Sequence, residues 1–421
     1  MAIKVINILH HIPNQIIKNY DDPNDLIKRF PETDFIRLDN YPYWVGFFKL
    51  DWHHQWGKII KEESKKIEIE CWRPYGSSIK QIYEKNVDGI LHKVFPSKEY
   101  KLRKVGSFTY SPSMLKELKK EINNGKKLII HFYGAHQSLI TWLLLKLKPV
   151  NTIVIIQQLG GWFDCFSFDK RWNILRLIPY SLEKKAFKYV NKYLTASITE
   201  QAFLTKKFKS LDFEFFLNGI DFSLYKPGNK TNAKKDLGIS SEKKMILYVG
   251  RFNSTKNVNI LIDAFEKINL QYKDVVLYLI GGYKEDEYYD KAVRSGATII
   301  ERTDQSINKY FAASDVYVMP INDFGVREFG GIGIAPLEAL AMNTPVISEN
   351  LKHCPGSLEE ILKLGISNIN YSVLDEQIMD VLENSLKYKD CRQIAMKYFD
   401  IHKNTHYLIG LYDNLISDQK I

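Results

Sequence analysis

At 421 residues the chain is longer than one hydrophobic core usually supports, so two domains of about 200 residues each are expected. A hydrophobic fraction of 45% with 13% aromatics excludes a disordered chain, and the four cysteines, Cys71, Cys165, Cys354 and Cys391, show no CxxC or metal-ligand spacing, which argues against a disulfide or zinc framework. The net charge of +10 is unevenly placed: residues 1–228 hold 36 Lys+Arg against 23 Asp+Glu, and residues 229–421 hold 23 against 26, so the first half suits an acidic surface or is simply coated with solvated lysines.

Residues 3–9 alternate into an apolar strand, and the N-terminus lacks the basic region, long apolar core and cleavage site of a signal peptide. The strand runs into a loop containing His10 and His11, at the sheet edge where ligands of open parallel sheets bind. Residues 40–57 are rich in aromatics, including Tyr41, Trp44, Trp52 and Trp56, which serve either as core or as an acceptor groove. A second strand is predicted at 67–71 and a lysine-rich helix at 114–123. Residues 127–133 then form a buried strand leading to Gly134, Ala135 and His136, followed by an apolar helix at 138–148 and another strand at 151–158. His131, His136 and Gln158 are candidate polar contacts there, and each has a structural alternative. The longest apolar run, residues 139–147, is interrupted by Lys146 and is too short to span a bilayer, so no transmembrane segment is expected. A basic, aromatic helical stretch covers 169–190, strands follow at 193–198 and 213–217, and a Pro, Gly, Asn and Lys cluster at 226–232 reads as the interdomain linker.

The pattern then restarts. Strands at 244–250, 275–280, 297–300 and 316–319 alternate with helices at 258–267 and 307–313, the mark of a second doubly wound sheet. Arg251 and Lys256 sit in one loop directly after the strand ending at Gly250, where two cations can neutralise a diphosphate that gains charge as its bond to a sugar breaks. In the last motif, 325–348, four glycines at 325, 330, 331 and 333 precede a helix of strong helix formers with Pro336 in its first turn, Asn343 as a left-handed cap and a strand from Pro345. A glycine-rich loop at a helix N-terminus is an anion site. Glu338 lies inside that helix, where a carboxylate suits sugar or ribose hydroxyls better than phosphate.

The Gly-Arg-x-x-x-x-Lys run at 250–256, the Asn-Gly-Ile-Asp turn at 218–221 with Pro227 after it, and the run from Gly333 to Ala341 with Thr344-Pro345-Val346-Ile347 together resemble the retaining glycosyltransferase family 4, glycosyl transferases group 1. The resemblance implies the α/β GT-B fold: two Rossmann-like doubly wound domains facing a cleft, with a C-terminal helix, here about 390–416, crossing back to the first domain. On that pattern residues 1–228 bind the acceptor, 229–395 bind a nucleotide-diphosphate sugar, and 396–421 return to the first domain. Arg251 and Lys256 would hold the diphosphate and stabilise the departing nucleotide, Glu338 would bind the donor ribose, and the backbone of Gly250, Gly331, Ile332, Gly333 and Ile334 would line the donor site. The resemblance implies front-face transfer with retention, no metal and no other cofactor; the sequence carries no nucleic-acid recognition motif, so no nucleic-acid partner is expected. The acceptor is expected to be a glycan or lipid-linked glycan; the cysteine usage fits a cytoplasmic protein, and the basic first domain suits contact with the inner face of the cell membrane.

Two positions depart from the family pattern. The family commonly places a glutamate eight residues before the second one, where this chain has Gly330; Glu328 lies two residues earlier and is the substitute candidate. The histidine often found after the strand at 151–158 is replaced by Leu159, so His11, His131, His136 and Gln158 become the candidates for the acceptor side or the transferred sugar. These departures keep two further readings open, a catalytically impaired partner of the same fold and a nucleotide-sugar epimerase.

Overall fold

The computed structural model describes residues 3–9, 36–37, 44–45, 52–75, 79–102, 106–134, 137–158, 177–217, 219–301, 307–321 and 331–418. The chain divides into two units, the first formed by residues 1–196, 200–216 and 405–421 and the second by 197–199 and 217–404.

Twelve strands belong to the first unit: β1 Ile3–Ile8, β2 Ile36–Arg37, β3 Trp44–Val45, β4 Ile67–Pro74, β5 Tyr83–Val87, β6 Ile90–Phe95, β7 Lys98–Leu102, β8 Gly106–Tyr110, β9 Lys127–Gly134, β10 Ile153–Gln158, β11 Lys192–Thr195 and β12 Phe213–Phe215. Eight of them make one sheet in the order β12-β11-β10-β9-β1-β4-β6-β5. Every neighbour in it pairs in parallel except β5, which is antiparallel to β6. β1, β9 and β10 are covered on both faces, which is why they read as continuous apolar runs. The chain leaves β1 toward β4 and later resumes at β9 on its other side, so the sheet reverses direction between β1 and β9.

The second unit holds β13 Lys244–Val249, β14 Val275–Ile280, β15 Thr298–Ile300, β16 Val316–Val318, β17 Val346–Ile347 and β18 Gly365–Ile366. They form an all-parallel sheet in the order β15-β14-β13-β16-β17-β18, with its reversal between β13 and β16. The helix Val258–Gln271 turns Val258, Leu261, Ile262, Phe265 and Ile268 inward at helical spacing, and these pack with β13, β14 and β16 in one core.

The domain limits differ from those expected. The first break falls at 216/217 rather than 228/229. Ile220 and Phe222 are buried in the core of the second unit, so the supposed end of the first domain is part of the second. The segment read as a linker starts a helix instead, Lys230–Asp236, capped by the Asn229 side chain. The expected single terminal helix is two, Cys391–Phe399 and Ile401–Asp418. Asp400 between them is extended because Ile220 inserts there: the Ile220 N–H donates to the Phe399 carbonyl (2.9 Å) and the Ile401 N–H to the Ile220 carbonyl (3.0 Å). The return to the first unit accordingly starts at Thr405 rather than at residue 396.

Candidate active site

Tertiary contacts fix the loop after β13 at both ends. The Gly250 N–H donates to the Ile280 carbonyl (2.9 Å), and the hydroxyls of Tyr317 and Tyr248 donate to the carbonyls of Val249 (3.1 Å) and Arg251 (2.8 Å). A side chain on Gly281, whose φ is +103°, would come within 2.7 Å of the Gly250 oxygen, so only glycine lets the β14 loop approach this closely. Phe252 turns inward and is buried with Tyr248, ring centroids 6.1 Å apart, whereas Arg251 is exposed and has no carboxylate partner among the described residues. One turn of 3-10 helix, Ser254–Lys256, carries Lys256, and Asn257 in the left-handed conformation (φ 50°) begins the helix behind it.

The second part is the helix Ile334–Ala341, which follows β16 in the chain. Its N-cap is Gly333 at φ +79°, with no side-chain cap among the described residues, a helix start of the kind that binds anions. The buried Ile332 side chain and a hydrogen bond from Asn350 Nδ2 to the Gly331 carbonyl (2.9 Å) anchor the backbone just before it. Asn343 takes the left-handed conformation at the far end (φ 60°), as the sequence predicts.

Glu338 is partly buried, and its Oε1 accepts from the Tyr225 hydroxyl at 2.7 Å. Burial raises its pKa above the usual carboxylate value, and the Tyr225 hydrogen bond opposes that rise. Burial and the Glu338 charge together push the Tyr225 hydroxyl up. Tyr317, fully buried on β16, also feels the Glu338 charge, and its hydroxyl bonds the end of β13, from which the loop carrying Arg251 leaves. The structure thus brings Arg251, Lys256 and Glu338 to the two strands that flank the reversal of the second sheet, where α/β sheets bind ligands.

The polar candidates of the first unit are differently placed. His131 on β9 is fully buried, its Nδ1 within 2.8 Å of the Tyr412 hydroxyl, and burial with the nearby His53 lowers its pKa to about 3. It is a neutral core histidine in this structure rather than a group at the sheet edge. Gln158 ends β10, is also buried, and its Oε1 accepts from the Tyr193 hydroxyl at 3.0 Å. His11, His136 and Glu328 lie outside the described residues. Sequence reading missed Tyr225 and Arg392. Arg392 donates to the carbonyls of Phe222, Tyr225 and Ala341 and stacks on the Phe222 ring, tying the segment after Gly219 to the end of the Glu338 helix. The signal was the apolar pair Ile220 and Phe222 inside a stretch that otherwise reads as turn.

Residues 229–398 match the family model described as glycosyl transferases group 1. This second unit is a glycosyl transferases group 1 domain. Over 146 residues, 33% of its length, the chain is 31% identical to "Uncharacterized glycosyltransferase MJ1607" of Methanocaldococcus jannaschii, a match that spans only 35% of that relative. A longer match covers 78% of the chain and 87% of "N-acetyl-alpha-D-glucosaminyl L-malate synthase" of Bacillus anthracis, at 23% identity. Among solved structures, Alr3699/HepE of Anabaena in complex with UDP superposes with a TM-score of 0.58 over 98% of this chain and 100% of its own, at 13% identity. The fold is GT-B, with the glycosyl transferases group 1 domain as its second Rossmann-like half.

Proposed function

We propose that the protein is a retaining glycosyltransferase of hexosyltransferase type that moves a sugar from a nucleotide-diphosphate sugar to a hydroxyl of a glycan or lipid-linked glycan. The observation that carries this reading is that an exposed Arg251, without a carboxylate partner among the described residues, and Lys256 follow β13 while the Gly333 helix start and Glu338 follow β16, the two strands that flank the sheet reversal. As the bond from sugar to diphosphate breaks, charge accumulates on the leaving phosphate; Arg251 and Lys256 stabilise it, and the N–H groups at Gly333 add to the field. The departing phosphate oxygen takes the acceptor proton as the acceptor attacks the same face, which retains the anomeric configuration. Glu338 accepts from the ribose, a role its buried carboxylate suits better than contact with phosphate. That the related Anabaena protein was crystallised with UDP supports a nucleoside diphosphate as the leaving group.

The test is a thermal-shift screen of nucleotide sugars followed by a transfer assay with the winning donor. A ligand that binds the folded state raises the melting temperature by mass action. Sugar appearing on an acceptor, abolished by Lys256→Ala, supports the proposal; an epimerised sugar with no acceptor product overturns it in favour of an epimerase, and no turnover with any donor leaves a binding partner.

A cytoplasmic location at the membrane face is part of the same proposal and rests on the surplus of 36 Lys+Arg over 23 Asp+Glu in residues 1–228. No helix among the described residues is long and apolar enough to cross a membrane. Co-sedimentation with anionic vesicles should fall steeply with salt; binding unchanged at high salt removes this part.

A further inference from the structure

We propose that Tyr225 is a positioning residue for the donor: its hydroxyl occupies one oxygen of the Glu338 carboxylate and turns the other toward the ribose. The inference rests on the donor site proposed above. Glu338 Oε1 receives the Tyr225 hydroxyl at 2.7 Å, while Oε2 takes no hydrogen bond among the described residues. A carboxylate offers about four lone-pair positions. Engaging one oxygen from a fixed direction orients the other, and it also keeps the group ionised in surroundings that favour its neutral form.

Tyr225 is itself held from behind. Its carbonyl, with those of Phe222 and Ala341, accepts from the Arg392 guanidinium, which stacks on the Phe222 ring with its centre 5.3 Å from the ring centroid. The Arg392 N–H in turn donates to Asn343 Oδ1 (3.1 Å), just past the C-terminal end of the helix that bears Glu338. The segment carrying Tyr225 and the helix carrying Glu338 are therefore registered against each other by one side chain. No such chain of contacts is needed to pack an apolar core, and it ends on the partly buried carboxylate.

The titratable groups acting on the pair are few. Tyr225 faces Glu338 directly, the buried Tyr317 hydroxyl senses it from β16, and Asp221 acts on Tyr225 from its own segment. The two tyrosines stay protonated throughout the neutral range, since burial pushes both hydroxyls up. Of Tyr225 and Glu338, only Glu338 loses its charge as pH falls, and burial raises the pH at which it does so, so its ionisation sets the acid limit of ribose binding.

The experiment measures UDP and GDP binding by calorimetry between pH 5 and 8 for the full chain and for Tyr225→Phe, Glu338→Ala and Arg392→Lys. Tyr225→Phe keeps the ring that packs on the core and should weaken the nucleotide about tenfold at neutral pH, the loss expected for a hydrogen bond to a charged group. It should also move the acid limb of binding to higher pH, because the carboxylate loses a bond that favours its charged form; the nucleotide's own phosphate titration is common to every variant. Arg392→Lys should weaken binding in the same direction with a smaller shift of the limb. If Glu338→Ala binds nucleotide as the wild type does, the donor-site reading fails. If Glu338→Ala weakens binding while Tyr225→Phe leaves both affinity and acid limb in place, the donor site stands and the positioning role is overturned. Should Tyr225→Phe not fold, Arg392→Lys carries the test, and an unmoved affinity and limb in that variant overturns the proposal.

Discussion

Arg251 and Phe252 point opposite ways on consecutive residues, and that alternation turns a loop into a cation site: the buried ring fixes the backbone on which the exposed guanidinium stands. If the two cations act on the leaving diphosphate, Arg251→Ala and Lys256→Ala should each lower kcat by about 10²–10³ with a smaller change in KM, since they act most when charge has developed. Steady-state rates with the winning donor decide this, and a loss confined to KM would assign them to ground-state binding. Glu338 offers a separate test at this scale. Its folded pKa is raised by burial, so its contribution to stability is fully present below the unfolded value of 4.5 and is lost as pH rises through the folded pKa. Glu338→Gln, which can still accept from Tyr225, should therefore melt higher than the wild type at pH 7 and equally at pH 4, while binding nucleotide more weakly. A variant that melts lower at pH 7 would mean that the carboxylate is a net structural support.

At the level of elements, two short motifs hold their positions by backbone chemistry. Gly219 (φ +85°) turns the chain where an added Cβ would stand 2.3 Å from the Phe399 carbonyl, so Gly219→Ala combines left-handed strain with a clash against the bridge that breaks the terminal helices. It should cost about 1–3 kcal/mol in urea unfolding. Among the helix starts, Leu358–Leu364 shows which signals were readable. Ser357 and Glu360 form a reciprocal capping box, an S-x-x-E pattern open to anyone scanning the sequence. The β5–β6 hairpin was equally legible: Asp88 and Gly89, both at positive φ, are the Asp-Gly turn that such hairpins favour. Buried parallel strands were recovered most closely, Val275–Ile280 to the residue, because both faces are covered and the apolar run has sharp ends. What the sequence could not carry is pairing across distance. Nothing local says that Tyr225 meets Glu338 113 positions on, or that Arg392 reaches back to Phe222. His131 stayed ambiguous for a different reason, since a histidine in an apolar strand reads the same whether it faces a ligand or the Tyr412 hydroxyl, and the structural alternative is the one the burial supports.

For the molecule as a whole, the decisive feature is that the first unit is completed by the last residues of the chain. From Thr405 the helix Ile401–Asp418 belongs to that unit, and Leu408, Tyr412 and Ile416, spaced four apart, are buried in it. Burial of each such side chain contributes about 1.5–3 kcal/mol. Tyr412 adds its hydroxyl to His131 Nδ1 at 2.8 Å, inside a core where His131 stays neutral with a pKa of about 3 against 6.5 in the open chain. Because the unfolded histidine takes up a proton that the folded one refuses, this group's stabilisation is complete above pH 6.5 and is lost as pH falls from there toward about 3, by up to ~1.4 kcal/mol per pH unit. Tyr412→Phe leaves the buried Nδ1 without that hydroxyl and should cost the first unit about 1–3 kcal/mol at pH 7. Ending the chain after Asn404 removes all three apolar side chains from the core of the first unit and should cost several times as much. Calorimetry of that shortened chain is expected to show two transitions, of which only the one belonging to residues 217–404 moves up on adding nucleoside diphosphate. A single transition at the wild-type temperature would mean that residues 405–418 are dispensable to the first unit and that its core closes without them.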